Sequence, residues 1–540
     1  MNAMEPTSSS AHKSHDSLSR DALAVLQPGF TGTTPPDWVL RRLGEGLVSV
    51  GLFGRNITSP AQLTELTARL RAERGDLLVA IDEEGGDVTR LEARTGSSYP
   101  GNHALGAVDD TALTRQVAAA LGARLAACGV NLDWAPCADV NSDPRNPVIG
   151  VRSFGADPDL VARHTAAYVE GLQSAKVAAC TKHFPGHGDT SVDSHLALPR
   201  VDADPELLAA RELVPFRAAL AAGTRAVMTA HLVVPALDPE HPATLSRRIL
   251  TGLLREELGY RGVVVTDGIE MRAIAATYGI ERGAVLALRA GADAVCVGGG
   301  LADEETVLRL RDALVSAVRA GELPADRLAE AAERVRELAS WTAQGAETAE
   351  LSETVARSET VELSGEAGRG EAESDVAEGD VAEWDEIGLV AARRALVRHG
   401  GPVAPLREAA YVASLSPVVN FAVGEETPWG MAPELRRLVP GTRGGTYGES
   451  AGSAGELAER VLKEAGGDPL VVVVRDEHRH DWMRGALDAL LAARPDLRVV
   501  EMGVPRSAPR GALYLATYGA ARACARAAAE ALADPAARTP

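Results

Sequence analysis

No run in this sequence approaches the 18 or so consecutive apolar residues that a membrane-spanning helix needs. The opening stretch, MNAMEPTSSSAHKSHDSLSR, is polar and lacks the apolar centre of an export signal. Residues 1–20 are therefore expected to be a flexible leader, and the protein cytoplasmic. Cysteine is sparse: Cys128, Cys137, Cys180, Cys296 and Cys524 are scattered and odd in number, with no CxxC or Cys/His spacing. Neither a disulfide framework nor a structural zinc site is indicated, and reduced thiols are the simplest reading. Aromatics are few (6 Trp, 8 Tyr, 6 Phe), which argues against a broad polysaccharide-stacking face. Positive charge is in deficit, 55 Lys+Arg against 75 Asp+Glu for a net −20. That balance disfavours nucleic acid and anionic membrane as partners, because attraction to phosphate needs clustered cations.

What the chain does have is length and apolar content: 540 residues, 46% hydrophobic, enough for two large cores. Between residues 20 and 341, short Val/Ala/Leu/Ile runs alternate with amphipathic helical stretches. The strand runs are LVSVGLFG (47–54), LLVAID (77–82), NLDWAPCADV (131–140), VAACTKHF (177–184), AVMTAHLVV (226–234), GVVVTDG (262–268) and ADAVCVG (292–298). They show little polar alternation, as strands of a parallel sheet buried on both faces do. Helix patterns lie between them, such as 111–129 and 205–223, the latter ending on Gly223 as a C-cap. Seven such βα units predict an α/β fold, a (β/α)8 TIM-type barrel over 21–342 with one strand irregular, an open doubly wound sheet being the alternative.

Composition then shifts. From Glu347 to Glu386 there are fourteen Asp/Glu against two Arg (Arg357 and Arg369), with Ala, Gly, Ser and Thr between. Residues 343–387 are read as a solvated acidic linker, since such a segment buries too little apolar surface to offset its ordering entropy. Strand and helix patterns resume over 388–540, including LVVVVRD (470–476), LRVVEMGV (497–504) and ALYLATYG (512–519), and predict a smaller αβα sandwich.

Ionisable residues collect just past the strand runs, where a barrel carries its active site. Asp82 closes one run and opens DEEGGDVTR, whose glycines permit a tight turn bringing Arg90 back. Arg152 lies in the glycine-flanked IGVRSFG. The densest cluster is TKHFPGHGDTSVDSH (181–195), with three of the chain's twelve histidines. Lys182 and His183 end a strand. Asp193 stands two residues before His195, a spacing at which a carboxylate can fix an imidazole tautomer and raise its basicity, making His195 a proton shuttle. A histidine- and Asx-turn-stabilised loop is the structural alternative, and His183-x3-His187 with Asp193-x-His195 is a third, metal-binding reading. Finally, three valines run into Asp267, a carboxylate desolvated unless it meets a cation or ligand, hence a candidate nucleophile, or else an N-cap for a helix starting at Gly268.

These four clusters, in this order, resemble glycoside hydrolase family 3, specifically its β-N-acetylglucosaminidase branch; KHFPGHGDTSVDSH (182–195) is the most specific of them. The resemblance covers residues 20–341, and 388–540 resemble the second domain of two-domain members by general pattern. It implies a retaining β-glycosidase without cofactor or metal. Asp267 would be the nucleophile, His195 with Asp193 the acid/base dyad, and Asp82, Arg90, Arg152, Lys182 and His183 the sugar-binding residues. The implied substrate is a small soluble GlcNAc-containing glycoside, a cell-wall muropeptide fragment foremost. Phosphorolysis, a broad β-glucosidase and a non-catalytic sugar-binding protein are the alternatives. Glu83 and Asp87 stand where Gln and Arg are expected, which predicts a more acidic pocket rim, and Gly268 is an unexpected residue after the nucleophile.

Overall fold

A computed structural model describes residues 17–192, 198–361, 378–417, 423–424 and 427–533. Eight parallel strands make the first domain: β1 (Leu26–Pro28), β2 (Ser49–Leu52), β3 (Leu78–Ile81), β4 (Leu132–Asp133), β5 (Ala178–Phe184), β6 (Ala226–Thr229), β7 (Val263–Thr266) and β8 (Val295–Val297). Strands β2 to β7 hydrogen-bond in sequence order. β1 pairs with β8 in register Leu26↔Val295, and a bridge between Val265 and Ala294 carries the sheet from β7 to β8. The (β/α)8 expectation is met, and the strand missing from the sequence reading is β1, only three residues long and ending in proline. Helices such as Thr111–Ala127 and Pro158–Ser174 pack outside, their first turns capped by Asp110 and Asp157 accepting backbone N–H groups.

The acidic stretch contains helix at both ends. One helix runs from Ala325 to Val361, and another from Glu378 to Ala395. Trp384 and Ile387 of the second pack against the barrel core, and Arg124 of the barrel donates to Asp385 at 3.2 Å.

The second domain is a six-stranded sheet of β9 (Val397–Gly400), β10 (Tyr411–Leu415), β11 (Arg443–Tyr447), β12 (Leu470–Val474), β13 (Arg498–Glu501) and β14 (Leu513–Ala516), in the order β11-β10-β12-β13-β14-β9. Only β9 is antiparallel. Alternate residues of β12 feed opposite cores, Leu470, Val472 and Val474 on one face and Val471 and Val473 on the other. That is why LVVVV shows no polar alternation. The strand order reverses between β10 and β12. In an open α/β sheet this switch point leaves a crevice beyond the strands' carboxyl ends, the usual place for a ligand. Residues 416–417 and 475–476 follow those two ends.

All five cysteines are free and buried. No helix among the described residues is long and apolar enough to cross a membrane.

Candidate active site

A pocket of about 270 Å³ opens at the carboxyl ends of the barrel strands, where Asp82, Arg90, Arg152, Lys182, His183 and Asp267 all line it. Each arrives from a different strand end or following loop. Asp82 follows β3, Lys182 and His183 lie within β5, Arg152 sits in the turn Gly150–Arg152, and Asp267 follows β7. The turn after Asp82 depends on glycine: Gly85 and Gly86 have φ of +73° and +64°, and a Cβ on Gly86 would come within 2.5 Å of Gly101 Cα.

The floor is a network of buried charge. Lys182 Nζ donates to Asp82 Oδ1 at 2.6 Å and pairs with Glu84 Oε1 at 2.7 Å. Arg152 grips the same glutamate through two hydrogen bonds, Nε to Oε2 at 3.0 Å and Nη2 to Oε1 at 2.7 Å. Burial alone would neutralise Glu84, but Arg152 and Lys182 outweigh it and hold its carboxyl well below the usual range. By the same balance Asp82 and Glu84 keep Lys182 protonated against its burial. Arg90 reaches Asp82 at 3.9 Å.

His183 is oriented from behind. Its Nδ1 lies 2.7 Å from Asp139 Oδ2, which leaves Nε2 toward Arg152 Nη2 at 3.4 Å. The His183 and His187 N–H groups both donate to Asp139 Oδ1. His183 holds Asp139 low although its burial pushes the other way. Burial pushes His187 down to about 4, so it is neutral at physiological pH. The start of this loop is therefore tightly held. Asn146 Nδ2 donates to the carbonyls of His187 and Gly188, and a Cβ on Gly188 would collide with Val140 O at 1.6 Å. Asp193 and His195 lie outside the described residues; Val192, the residue before them, is exposed.

Asp267 is half-buried, and its Oδ1 accepts from the Gly268 N–H at 2.8 Å. It caps no helix: the next one starts at Arg272, with Met271 at the N-cap. The helix-capping alternative for Asp267 is thereby removed.

One trio among the described residues, Cys137, Asp139 and His183, sets metal-ligating atoms within 4.8 Å of one another. Their bonds are already committed: Cys137 Sγ donates to Asp139 Oδ2 at 3.1 Å, and burial pushes the thiol well up, away from the thiolate a metal would need.

Neither Glu83 nor Asp87, the two residues behind the expected acidic rim, lines this pocket. Glu83 turns inward, where its Oε2 accepts from the Arg90 and Leu91 N–H groups, and burial raises its carboxyl to about 7. Asp87 points to the second domain, pairing with Arg475 and accepting from Ala520 N at 2.8 Å. Sequence reasoning passed over Glu84 and Asp139, the two carboxylates that organise the floor. Asp139 had the signal that marked Asp82, an acid closing an apolar run. Glu84 had none, being one of three consecutive acids.

Residues 43–338 match the family model described as the glycosyl hydrolase family 3 N terminal domain. A beta-hexosaminidase of Nitrosomonas eutropha is 39% identical over 285 residues, 51% of this chain and 80% of that protein. Beta-hexosaminidase A of Pseudoalteromonas piscicida is 40% identical over 263 residues, a match spanning 45% of this chain and 44% of the relative. The solved structure of a glycoside hydrolase family 3 beta-N-acetylglucosaminidase from Paenibacillus sp. superposes with a TM-score of 0.78 at 33% identity, covering 96% of each chain.

Proposed function

The chain belongs to glycosyl hydrolase family 3, and from that premise we propose that it removes terminal N-acetylglucosamine from small β-glycosides, cell-wall muropeptide fragments foremost, with retention at the anomeric carbon. The observation that carries this reading is convergence. Side chains from four separated sequence clusters line one pocket, with the half-buried Asp267 carboxylate among them and a floor of locked ion pairs beneath.

In this reading Lys182, Arg152, Arg90, His183 and Asp82 grip the ring hydroxyls and hold the anomeric carbon before Asp267. Asp267 attacks, forming a glycosyl-enzyme as the bond to the leaving oxygen breaks. His195, oriented by Asp193, gives its proton to that oxygen and then takes one from the water that releases the sugar. Rigidity supports the clamping role: Lys182 and His183 are 2% and 5% exposed, so a bound ring meets donors that need not reorganise.

The test is p-nitrophenol release from the β-GlcNAc glycoside and the β-glucoside, side by side in phosphate-free buffer. The expected preference for the first is on the order of 10²-fold. Comparable cleavage would make the protein a broad β-glucosidase, and a rate that requires added inorganic phosphate would make it a phosphorylase.

A further inference from the structure

Gly268 directly follows Asp267, and its conformation does not call for glycine: its φ lies outside the positive range that other glycines of this chain hold. Space does call for it. A Cβ on Gly268 would come within 3.0 Å of Glu270 Oε1 and 3.3 Å of its Oε2. Glu270 therefore doubles back over the residue two before it. Its other neighbours are glycines as well. A Cβ on Gly298 would lie 3.2 Å from the same Oε1, and one on Gly299, at φ +51°, would lie 2.6 Å from it. The carboxylate is thus bedded among glycines from two strand ends, Gly268 after β7 and Gly298 and Gly299 after β8. Its Oε2 accepts from the Gly298 N–H at 3.2 Å. Arg55, after β2, holds the same turn from outside, its Nη1 donating to Gly299 O at 2.8 Å and its Nε to Phe30 O at 3.1 Å. Gly268, Glu270, Gly298 and Gly299 all line the sugar pocket beside Asp267.

The Gly268 N–H donates to Asp267 Oδ1 at 2.8 Å, so the peptide group joining the two residues sets the direction of the Asp267 carboxylate. Asp267 is the last residue tied to the neighbouring strand, its N–H donating to Thr229 O at 3.3 Å. The chain then turns through residues 268–271 before the next helix starts at Arg272. Glycine in such a turn has the widest backbone freedom of any residue. Hydrogen bonds hold the turn's polar groups: Ile269 N donates to Cys296 O at 3.0 Å, Met271 N donates to Gly268 O at 3.0 Å, and that same oxygen lies 3.0 Å from His231 Nε2. The Cα of Gly268 is covered differently. The three atoms nearest a Cβ built there all belong to Glu270.

We propose that Glu270 is a positioning residue: bedded on Gly268, Gly298 and Gly299, its carboxylate fixes the Gly268 peptide whose N–H aims Asp267 at the anomeric carbon. This rests on the reading of Asp267 as the nucleophile. Gly268 and Glu270 are one device in two parts. The glycine leaves the room, and the glutamate supplies from two residues away the packing that a side chain at 268 would have given. Losing it costs rate rather than affinity, because the ring's other contacts, Asp82, Arg152, Lys182 and His183, come from different strand ends.

The test is a double-mutant cycle on p-nitrophenyl β-GlcNAc, with a melting curve for each variant. E270A is expected to lower kcat on the order of 10- to 10²-fold, with KM within about threefold of wild type. E270Q keeps an oxygen of the same reach for the Gly298 N–H and is expected to retain kcat within about threefold, which separates placement from charge. G268A pushes the carboxylate off its bed and should lose as much as E270A. In the double variant the losses should not multiply: kcat should lie within about threefold of the slower single variant, since both remove one device. A near-wild-type kcat in E270A, a loss confined to KM, E270Q as slow as E270A, or single losses that multiply in the double variant would each overturn the inference and leave the hydrolase standing. Where E270A fails to fold, G268A decides from the opposite side of the same contact, and a wild-type kcat in it overturns the inference. A wild-type enzyme that releases no p-nitrophenol would overturn the nucleophile reading as well.

Discussion

In the barrel pocket, Lys182, Glu84 and Arg152 each meet an opposite charge at 2.7 Å or less, and His183 meets the Asp139 carboxylate at 2.7 Å. Across Arg152, in a cavity against the second domain, Arg479 meets Asp476 only at 3.9 Å, and that aspartate is divided between two guanidiniums. The two spaces also differ in what builds them. The first is made of strand ends of one barrel, the second of loops from two domains that touch through Asp87, Arg475 and Ala520. Locked charge suits a ring whose hydroxyls never vary, because reorganisation would cost rate at every turnover.

Breaking the locked side should cost most. Asp267→Ala removes the proposed nucleophile and is expected to lower kcat on the order of 10⁴-fold with the fold intact, read by steady-state kinetics beside a melting curve. Near-normal turnover would remove Asp267 from the reaction. Glu84→Ala strips one carboxylate from two buried cations, Lys182 at 2% and Arg152 at 7% exposure. Stability should fall by about 3–5 kcal/mol, measured by denaturant unfolding, because a buried charge that loses its partner keeps its desolvation cost. A loss under 1 kcal/mol would mean the floor is not locked.

Glu83 sharpens the contrast from one residue away. Glu84, held low by its cations, contributes stability at neutral pH that is lost as pH falls below the ordinary carboxylate value. Glu83 has the opposite sign. Burial raises its carboxyl to about 7, so the folded state keeps a proton that the unfolded chain releases from about 4.5 upward, and stability declines as pH rises through that window. Glu83→Gln should flatten the decline, by at most about 3 kcal/mol between pH 5 and pH 8, visible as a smaller Tm difference than wild type shows. The smallest effect is expected at the domain seam. Asp87→Ala leaves Arg475 without its close ion pair, Asp476 lying 3.9 Å away, and should cost about 2 kcal/mol while barely changing p-nitrophenyl glycoside turnover.

The barrel was legible because its strands are buried on both faces, so that VVVT and LVAI carry a plain signal. β1 escaped as three residues ending in proline. In the second domain, β9, β10 and β11 escaped: VRHG is half-buried to exposed at an antiparallel edge, YVASL is a short run broken by a serine, and RGGTY carries two glycines in place of strand formers. The site's lining was legible where a charged residue ends an apolar run, as at Asp82, Lys182 and Asp267. Glu84 was hidden by its acidic neighbours, because only the fold shows which of three adjacent acids turns toward Lys182 and Arg152. The pairing of Asp87 with Arg475 spans nearly 400 residues of chain, and no local pattern announces it.

The most direct test of the central claim, that the Asp267 carboxylate in the barrel pocket attacks the sugar, is to trap the intermediate. The protein would be incubated with a 5-fluoro glycosyl fluoride of N-acetylglucosamine, digested and mapped by mass spectrometry. The account predicts one added sugar per chain, on the peptide bearing Asp267, and none in Asp267→Ala. A sugar attached to another carboxylate, in a protein that turns over the β-GlcNAc substrate, would contradict it.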